Sequence, residues 1–362
     1  MSSRISIKAI AVFLIGMVIY CSVLAWVVRR NLVWWPAYEA LDYAVIREGF
    51  DYNFGWFPRV LAGVAVFFML AGLQFSRVRG PLWLLGMLGM GAAGVVWFFR
   101  WYVTDFEHGR LVVRKVTLQS DKIREPFTLL HISDLEALEV GPHEKKALAR
   151  AAALNADMVV FTGDWFELER GEPLQPHWEA LKPHLSQFEP EFGFWGVYGD
   201  ADGGFYRIPV SEESPLVMMD FWPKRIVSDA GNLIEIKALS LHQSRRPGVA
   251  EQHIRKWVES KSPDVFSILL GHGPDFIPDA IDYGVDLSLA GHTHGGQVRL
   301  PFYGPLTHNS DVPKDWSVGF HEVSNSAFNV SAGLGSDRHG DLPIIRFNCP
   351  TEMTLISVVP KL

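Results

Sequence analysis

The sequence predicts an α/β domain preceded by an N-terminal membrane region, and three observations support this. Three uncharged apolar runs crowd into the first 104 residues. From about residue 110, short runs rich in Val, Ile, Leu and Phe alternate with helical or polar stretches. Those short runs end, one after another, in aspartate, glutamate or histidine.

The membrane region comes first. The chain has 362 residues, a formal charge of -7, 48% hydrophobic residues and 13 Trp, and the apolar excess lies mostly before residue 104. Ala9 to Val28 contains no charge, follows Arg4 and Lys8, and ends at Arg29-Arg30. A helix of about 20 residues crosses the hydrocarbon core. A signal peptide is the rival reading, but no small-x-small cleavage site ends the run and further spans follow. Val60 to Phe75 is shorter and needs help from its neighbours to span. Pro81 to Phe99 is long enough alone, and Gly89 with Ala93 offers a small-residue packing face. The loop between the first two spans holds three Trp and three Tyr. Such residues suit the membrane interface, and equally an ordinary loop packed on the next domain. The expected division is therefore 1–104 as membrane region and 105–362 as a second domain.

In the second domain the strand candidates are "FTLLHIS" (127–133), "MVVFTG" (158–163), "GFWGVYG" (193–199), "FSILLGH" (266–272) and "LSLAGH" (287–292). "PHEKKALARAAALNA" between the first two reads as a helix with Pro near its start. Strand, helix, strand in this rhythm implies βαβ units and a buried sheet with helices on its faces. "FNVSAG" and "EMTLISVV" add late strands.

Each of the five strands leads into potential metal ligands: Asp134 and Glu136, then Asp164, Asp200, His272, and finally His292 with His294. In open α/β sheets, ligand sites form beyond the carboxyl ends of strands. In extended chain, residues two apart point the same way, which aims Asp134 with Glu136, and His292 with His294, at one place. Carboxylate and imidazole together suit Mn²⁺, Fe or Zn²⁺, and a carboxylate can bridge two ions. A single "GD" after a strand is common. "GHTHGG" is far more specific, and the ordered set is stronger still.

That set resembles the calcineurin-like metallophosphoesterases, whose pattern runs D-x-H, G-D, G-N-H-[DE], H, G-H-x-H, over about residues 110 to 360. The tail "GLGSDRHGDLPIIRFNCPTEMTLISV" resembles a membrane-anchored bacterial branch of that family. The resemblance implies a two-sheet sandwich flanked by helices, with a two-metal site that activates water against phosphorus. Carried over by position, Asp134, Asp164 and His294 fall on one metal. Asp164, Asp200, His272 and His292 fall on the other, with Asp164 bridging. Asp164, Asp200 and His292 are the residues expected to carry catalysis.

Three departures stand out. Glu136 replaces the histidine of D-x-H. In "GDAD" (199–202), Asp200 replaces an asparagine ligand and Ala201 replaces the active-site histidine. "LSLHQS" (239–244) is less acidic than the family leads one to expect. The first two substitutions keep oxygen donors and favour harder ions, Mn²⁺ above all, with Mg²⁺, Fe and Zn²⁺ as alternatives. Loss of the histidine removes general-acid help, typically worth ~10²–10⁴-fold. Diphosphates and activated diesters, whose leaving groups depart without a proton, then fit better than alkyl monoesters. Arg207 is a candidate for binding substrate phosphate.

The expected function is a membrane-bound phosphoesterase acting on a lipid-linked or nucleotide-linked phosphodiester or diphosphate. The UDP-diacylglucosamine pyrophosphatases of lipid A synthesis, which include members of the superfamily, offer one analogy. The alternative is a catalytically weak member that binds metal, phosphate ligand or partner. Expected partners are the bilayer and a phosphate-containing molecule. No Lys/Arg block suggests nucleic acid. With three spans, Arg29, Arg30, Arg47, Arg59, Arg100, Arg110, Arg114 and Lys115 share the domain's side, against Arg4, Lys8, Arg77 and Arg79 opposite. The positive-inside rule then expects a cytoplasmic domain. Cys21 and Cys349 are not expected to pair.

Overall fold

The computed structural model describes residues 43–168, 171–202, 214–337 and 342–361, with scattered positions between 11 and 29. The first expected span lies largely outside them, as does Arg207. Two compact units emerge: 1–106 with 339–343, and 107–338 with 344–362.

In the first unit, α1 (Tyr43–Phe50) runs through a π-helical turn (Asp51–Trp56) into α2 (Phe57–Gln74), and α3 (Arg79–Trp101) follows a short connection. The continuous helical stretches Tyr43–Gln74 and Arg79–Gly109 are long and apolar enough, by length and composition, to cross a membrane. They hold the third expected span whole and the second as far as Gln74. Residues 43–56, expected as loop, are helical instead. Pro58 has no N–H to give the carbonyl four residues back, and the chain widens into the π turn just before it. The small-residue face also packs. Ala93 is buried, and a Cβ on Gly89 would lie 3.1 Å from Ala65 Cβ. Close approach of this kind increases van der Waals contact between two apolar helices.

The second unit is mixed α/β with two six-stranded sheets. Its strands are β1 (Leu111–Ser120), β2 (Phe127–Ile132), β3 (Met158–Phe161), β4 (Phe194–Gly196), β5 (Leu216–Met218), β6 (Lys224–Val227), β7 (Leu233–Ala238), β8 (Phe266–Leu270), β9 (Leu287–Ala290), β10 (Arg299–Leu300), β11 (Gly304–Pro305), β12 (Gly319–Val323), β13 (Ser326–Val330) and β14 (Thr351–Pro360). One sheet has the order β1-β14-β2-β3-β4-β5 and the other β12-β13-β9-β8-β7-β6, while β10 and β11 form a separate ribbon. β2 through β5 run parallel, as do β7, β8, β9 and β13.

Period-two alternation builds three layers of core. Leu129, Val160 and Ile356 from one sheet meet Ile236, Ile268 and Leu289 from the other. Their neighbours Leu130, Ile132, Val159 and Phe161 face outward onto α4 (Pro142–Ala152) and α5 (Leu174–Leu185), through Leu148 and Trp178. On the opposite side, Leu269 and Ala290 meet α7 (Glu251–Ser260) and α8 (Ile277–Asp282) through Ile254, Trp257 and Ile277. A short α6 (Leu241–Ser244) precedes α7. Strands covered on both faces must be apolar throughout, so "MVVF" is buried at every position. Each such aliphatic side chain contributes about 1.5–3 kcal/mol by leaving water.

Candidate metal centre

The strand ends converge. Asp164 follows β3, Asp200 follows β4, His272 follows β8 and His292 follows β9, and one ligand atom from each of the four lies within 4.8 Å of all the others. His272 Nε2 is 3.1 Å from Asp164 Oδ2 and 2.7 Å from Asp200 Oδ1, and His292 Nδ1 is 3.3 Å from Asp200 Oδ1. Beside them, His294 Nε2 lies 3.1 Å from Glu136 Oε1. Asp134 Oδ1 accepts the His292 backbone N–H at 2.9 Å.

The backbone reaches this arrangement through conformations the sequence did not suggest. β2 ends at Ile132, and Asp134 and Glu136 have φ of 49° and 44°. Asp164, His292 and His294 also have positive φ, at 64°, 69° and 48°. The expected pointing of alternate residues from an extended chain is therefore incorrect. Left-handed turns, costly for residues with a Cβ, bring these side chains inward instead. Gly163 serves the same crowding. It has φ of 98°, and a Cβ there would lie 2.6 Å from His272 Nδ1.

Each inner side chain has a brace. His272 Nδ1 donates to the Thr162 carbonyl at 2.8 Å, which turns Nε2 toward the cluster; without metal Nε2 carries a proton to Asp200, and on losing it Nε2 would be free to bind an ion. Asp164 Oδ1 accepts the Ala201 N–H at 2.8 Å. The Asn309 amide lies 3.3 Å from His292 Nε2. Asp200 Oδ2 pairs with the Arg245 guanidinium.

Electrostatics sort the cluster. Burial pushes Asp134 up to about 7, with Asp164 and Glu136 adding repulsion against the pull of His294 and His272. Burial, then Asp164, raises Glu136 well above the usual range. Burial alone would lower His272, but the Asp164 and Asp200 carboxylates outweigh it and raise the imidazole. His292 and His294 are lowered, chiefly by burial. Burial works against ionised Asp200, yet bonds from His272 and His292 hold it below the usual carboxylate range.

The donor set fits divalent cations. Among the described residues, Asp134 Oδ2 and Glu136 Oε2 are buried with no hydrogen-bond partner. Unpartnered buried carboxylate oxygens are costly, and a cation satisfies them. The cluster opens to a cavity of about 430 Å³ lined by Glu136, Asp164, Asp200, His292 and His294, with Ala201 in its wall.

Three residues that support the cluster escaped the sequence reading. Asp202 is buried and accepts N–H bonds from Asp164, Trp165 and Gly199 at 2.7, 2.8 and 2.8 Å. Its place at the end of "GDAD" was the available signal. Burial first, then Asp164, raises its carboxyl to about 7. Arg346 is buried, donates to the carbonyls of Ala332, Gly335 and Cys349, and stands 3.5 Å from His294 Nδ1. Arg245 is the third, and it gives "LSLHQS" a role. Ser240 and Gln243 cap α6 reciprocally, and the helix ends at Arg245. Nothing local marks either arginine. Cys21 and Cys349 are both free thiols.

Comparison with known proteins agrees with this architecture. The Metallophos family model, described as calcineurin-like phosphoesterase, matches residues 127–296. An uncharacterized metallophosphoesterase of Bacillus subtilis (strain 168), YkuE, is 32% identical over 64% of this chain and 77% of its own length. A phosphodiesterase of Escherichia coli (strain K12), YaeI, is 24% identical over 65% of this chain and 83% of its own. A UDP-2,3-diacylglucosamine pyrophosphatase of Chlamydia muridarum (strain MoPn / Nigg), LpxG, is 24% identical over 67% of this chain and 88% of its own. Strand-end acids and imidazoles, the two-sheet fold and these likenesses agree: the chain belongs to the calcineurin-like metallophosphoesterase family.

Proposed function

We propose that this chain is a membrane-held hydrolase with two divalent ions, Mn²⁺ by preference, that cleaves a diphosphate or activated phosphodiester bond in a lipid-linked or nucleotide-linked substrate. The observation that carries the reading is the four-residue Asp164, Asp200, His272, His292 cluster beside the unpartnered oxygens of Asp134 and Glu136. The four would hold one ion. Asp134, Glu136 and His294 would hold the other, with Asp164 shared. Bound there, divalent ions supply charge stabilisation at phosphorus and acidify water.

The remaining work falls to the chain. The Thr162 carbonyl holds His272 Nδ1 and so keeps the ring oriented with Nε2 toward the site. Ala201 offers the cavity a methyl group and only its backbone N–H to Asp164. With no side-chain acid at that position, a leaving group that departs unprotonated is favoured. The name of LpxG supports trying a UDP-diacylglucosamine-type diphosphate first. The two long apolar helices support a bilayer partner. The Lys/Arg distribution supports a cytoplasmic domain, which a reporter fused after Leu362 would test.

The experiment uses the full chain in detergent with Mn²⁺. Bis(p-nitrophenyl) phosphate and the lipid-linked diphosphate should turn over, and an alkyl phosphate monoester should not. Asp164→Ala should lose both metals, and His292→Ala chiefly one. Preference for the alkyl monoester would overturn the substrate assignment, and two metals retained in Asp164→Ala would overturn the bridge. Metal uptake with no turnover on any substrate would identify a binding protein instead.

A further inference from the structure

Among the four clustered side chains, Asp200 is the least enclosed. Its side chain is 38% exposed, against 5%, 0% and 5% for Asp164, His272 and His292. Packing therefore fixes the other three and does not fix this one. An aspartate on an exposed turn has two equivalent oxygens and a free torsion. Left alone it can rotate to water or present both oxygens inward.

Arg245 removes that freedom. Its Nη1 occupies Oδ2, while Oδ1 faces His272 and His292. The arginine itself stands on a firm base. Its backbone N–H caps α6 on the Leu241 carbonyl at 3.1 Å, and the preceding Ser244 carbonyl accepts the Asp275 N–H at 3.1 Å. Gly273 makes room for its stem, since a Cβ there would lie 2.7 Å from Arg245 Cγ. The loop after β8 thus carries His272 and also anchors the group that aims Asp200. The ion pair further offsets one of four carboxylates gathered at the site, where like charges repel.

We propose that Arg245 is the positioning residue of this metal centre: by occupying Asp200 Oδ2 it makes the carboxylate a single-oxygen donor aimed at the site. The inference rests on the metal reading above, and it concerns how a ligand is held rather than which residues are ligands. An exposed ion pair alone is worth little. The effect expected here lies in the geometry of the ligand.

A double-mutant cycle on the full chain, read by Mn²⁺ titration calorimetry, tests it. Arg245→Ala should weaken Mn²⁺ binding about tenfold, which is ~1.4 kcal/mol. In the Asp200→Asn background the same change should alter affinity less than about twofold. There the amide keeps one inward oxygen, and its nitrogen offers Arg245 no acceptor. Arg245→Lys, which retains a cation, should recover most of the affinity. Equal losses in both backgrounds, no loss in either, or tighter binding in Arg245→Ala would each overturn the proposal. A parent chain that binds no Mn²⁺ would overturn the metal reading itself, and this inference with it.

Discussion

Glu136 Oε1 and His294 Nε2 lie 3.1 Å apart in a buried pair, while Glu136 Oε2 has no hydrogen-bond partner among the described residues. A side chain whose role was mere solvation would not be enclosed this way. In the metal-free protein the arrangement is unfavourable, because burial and Asp164 both oppose the charged carboxylate. Glu136→Gln keeps the shape and removes the charge. It should leave the metal-free protein as stable as the parent or slightly more so, and weaken Mn²⁺ binding at least about tenfold. Melting temperatures with and without Mn²⁺ check both halves. An unchanged Mn²⁺ affinity would remove Glu136 from the ligand set.

Asp202 should matter for a different reason. Its carboxylate is the acceptor for three backbone N–H groups that shape the turns bearing Asp164 and Asp200. Leaving a buried donor unsatisfied costs about 1–3 kcal/mol. Asp202→Ala should therefore destabilise the protein by at least about 3 kcal/mol and weaken metal binding as well. Asp202→Asn keeps one acceptor oxygen and should cost about half as much. Chemical denaturation measures the difference. A loss below about 1 kcal/mol for the alanine variant would mean that water replaces the carboxylate without penalty.

The parts of the fold that were legible in the sequence depend on local pattern. Strands buried on both faces must be continuous apolar runs, so β2, β3, β8 and β9 and the ligands just beyond them stood out. What was hidden depends on distant chain meeting. β1 pairs in parallel with β14 from the opposite end of the domain, and no local rule foretells that partner. Arg245 meets Asp200 across 45 residues of sequence. The positive φ values at Asp134 and Glu136 were invisible because no glycine announces them. The side chains still converge, but through turns rather than an extended strand.

Arg346 illustrates the same limit and yields a third test. It is wholly buried, and its guanidinium ties the carbonyls of Ala332, Gly335 and Cys349 and the Ser336 hydroxyl into one support behind His294. A planar fork with five donors does this, and an ammonium cannot match its geometry. Arg346→Lys should cost roughly 2–4 kcal/mol of stability, since two or more acceptors lose their partner. Hydrogen exchange should rise in residues 331–337 before it rises in β2 or β3. Uniform loss of protection across the domain would contradict a local support role.

His131 sets the last prediction. It is buried on β2, accepts the Asn329 amide at Nδ1 over 2.7 Å, and donates from Nε2 to Thr162 Oγ1 at 2.9 Å. The Thr162 hydroxyl in turn donates to Ser133 at 2.7 Å, so the relay is complete with a neutral ring. Burial lowers this imidazole from 6.5 to about 3. Between those values the unfolded chain binds a proton that the folded chain refuses. The contribution of His131 to stability is thus intact above pH 6.5, declines as pH falls below it, and levels off near pH 3. The slope is ~1.4 kcal/mol per pH unit, or about 2 kcal/mol between pH 6.5 and pH 5. His131→Gln loses packing and hydrogen bonds at every pH but carries no proton. Its stability deficit relative to the parent should therefore shrink by about 2 kcal/mol between pH 7 and pH 5. Taking the difference between the two proteins cancels the buried carboxylates, which titrate in both. Denaturant titrations at the two pH values supply the comparison, and a deficit that stays constant would show that His131 accepts its proton in the fold as readily as in water.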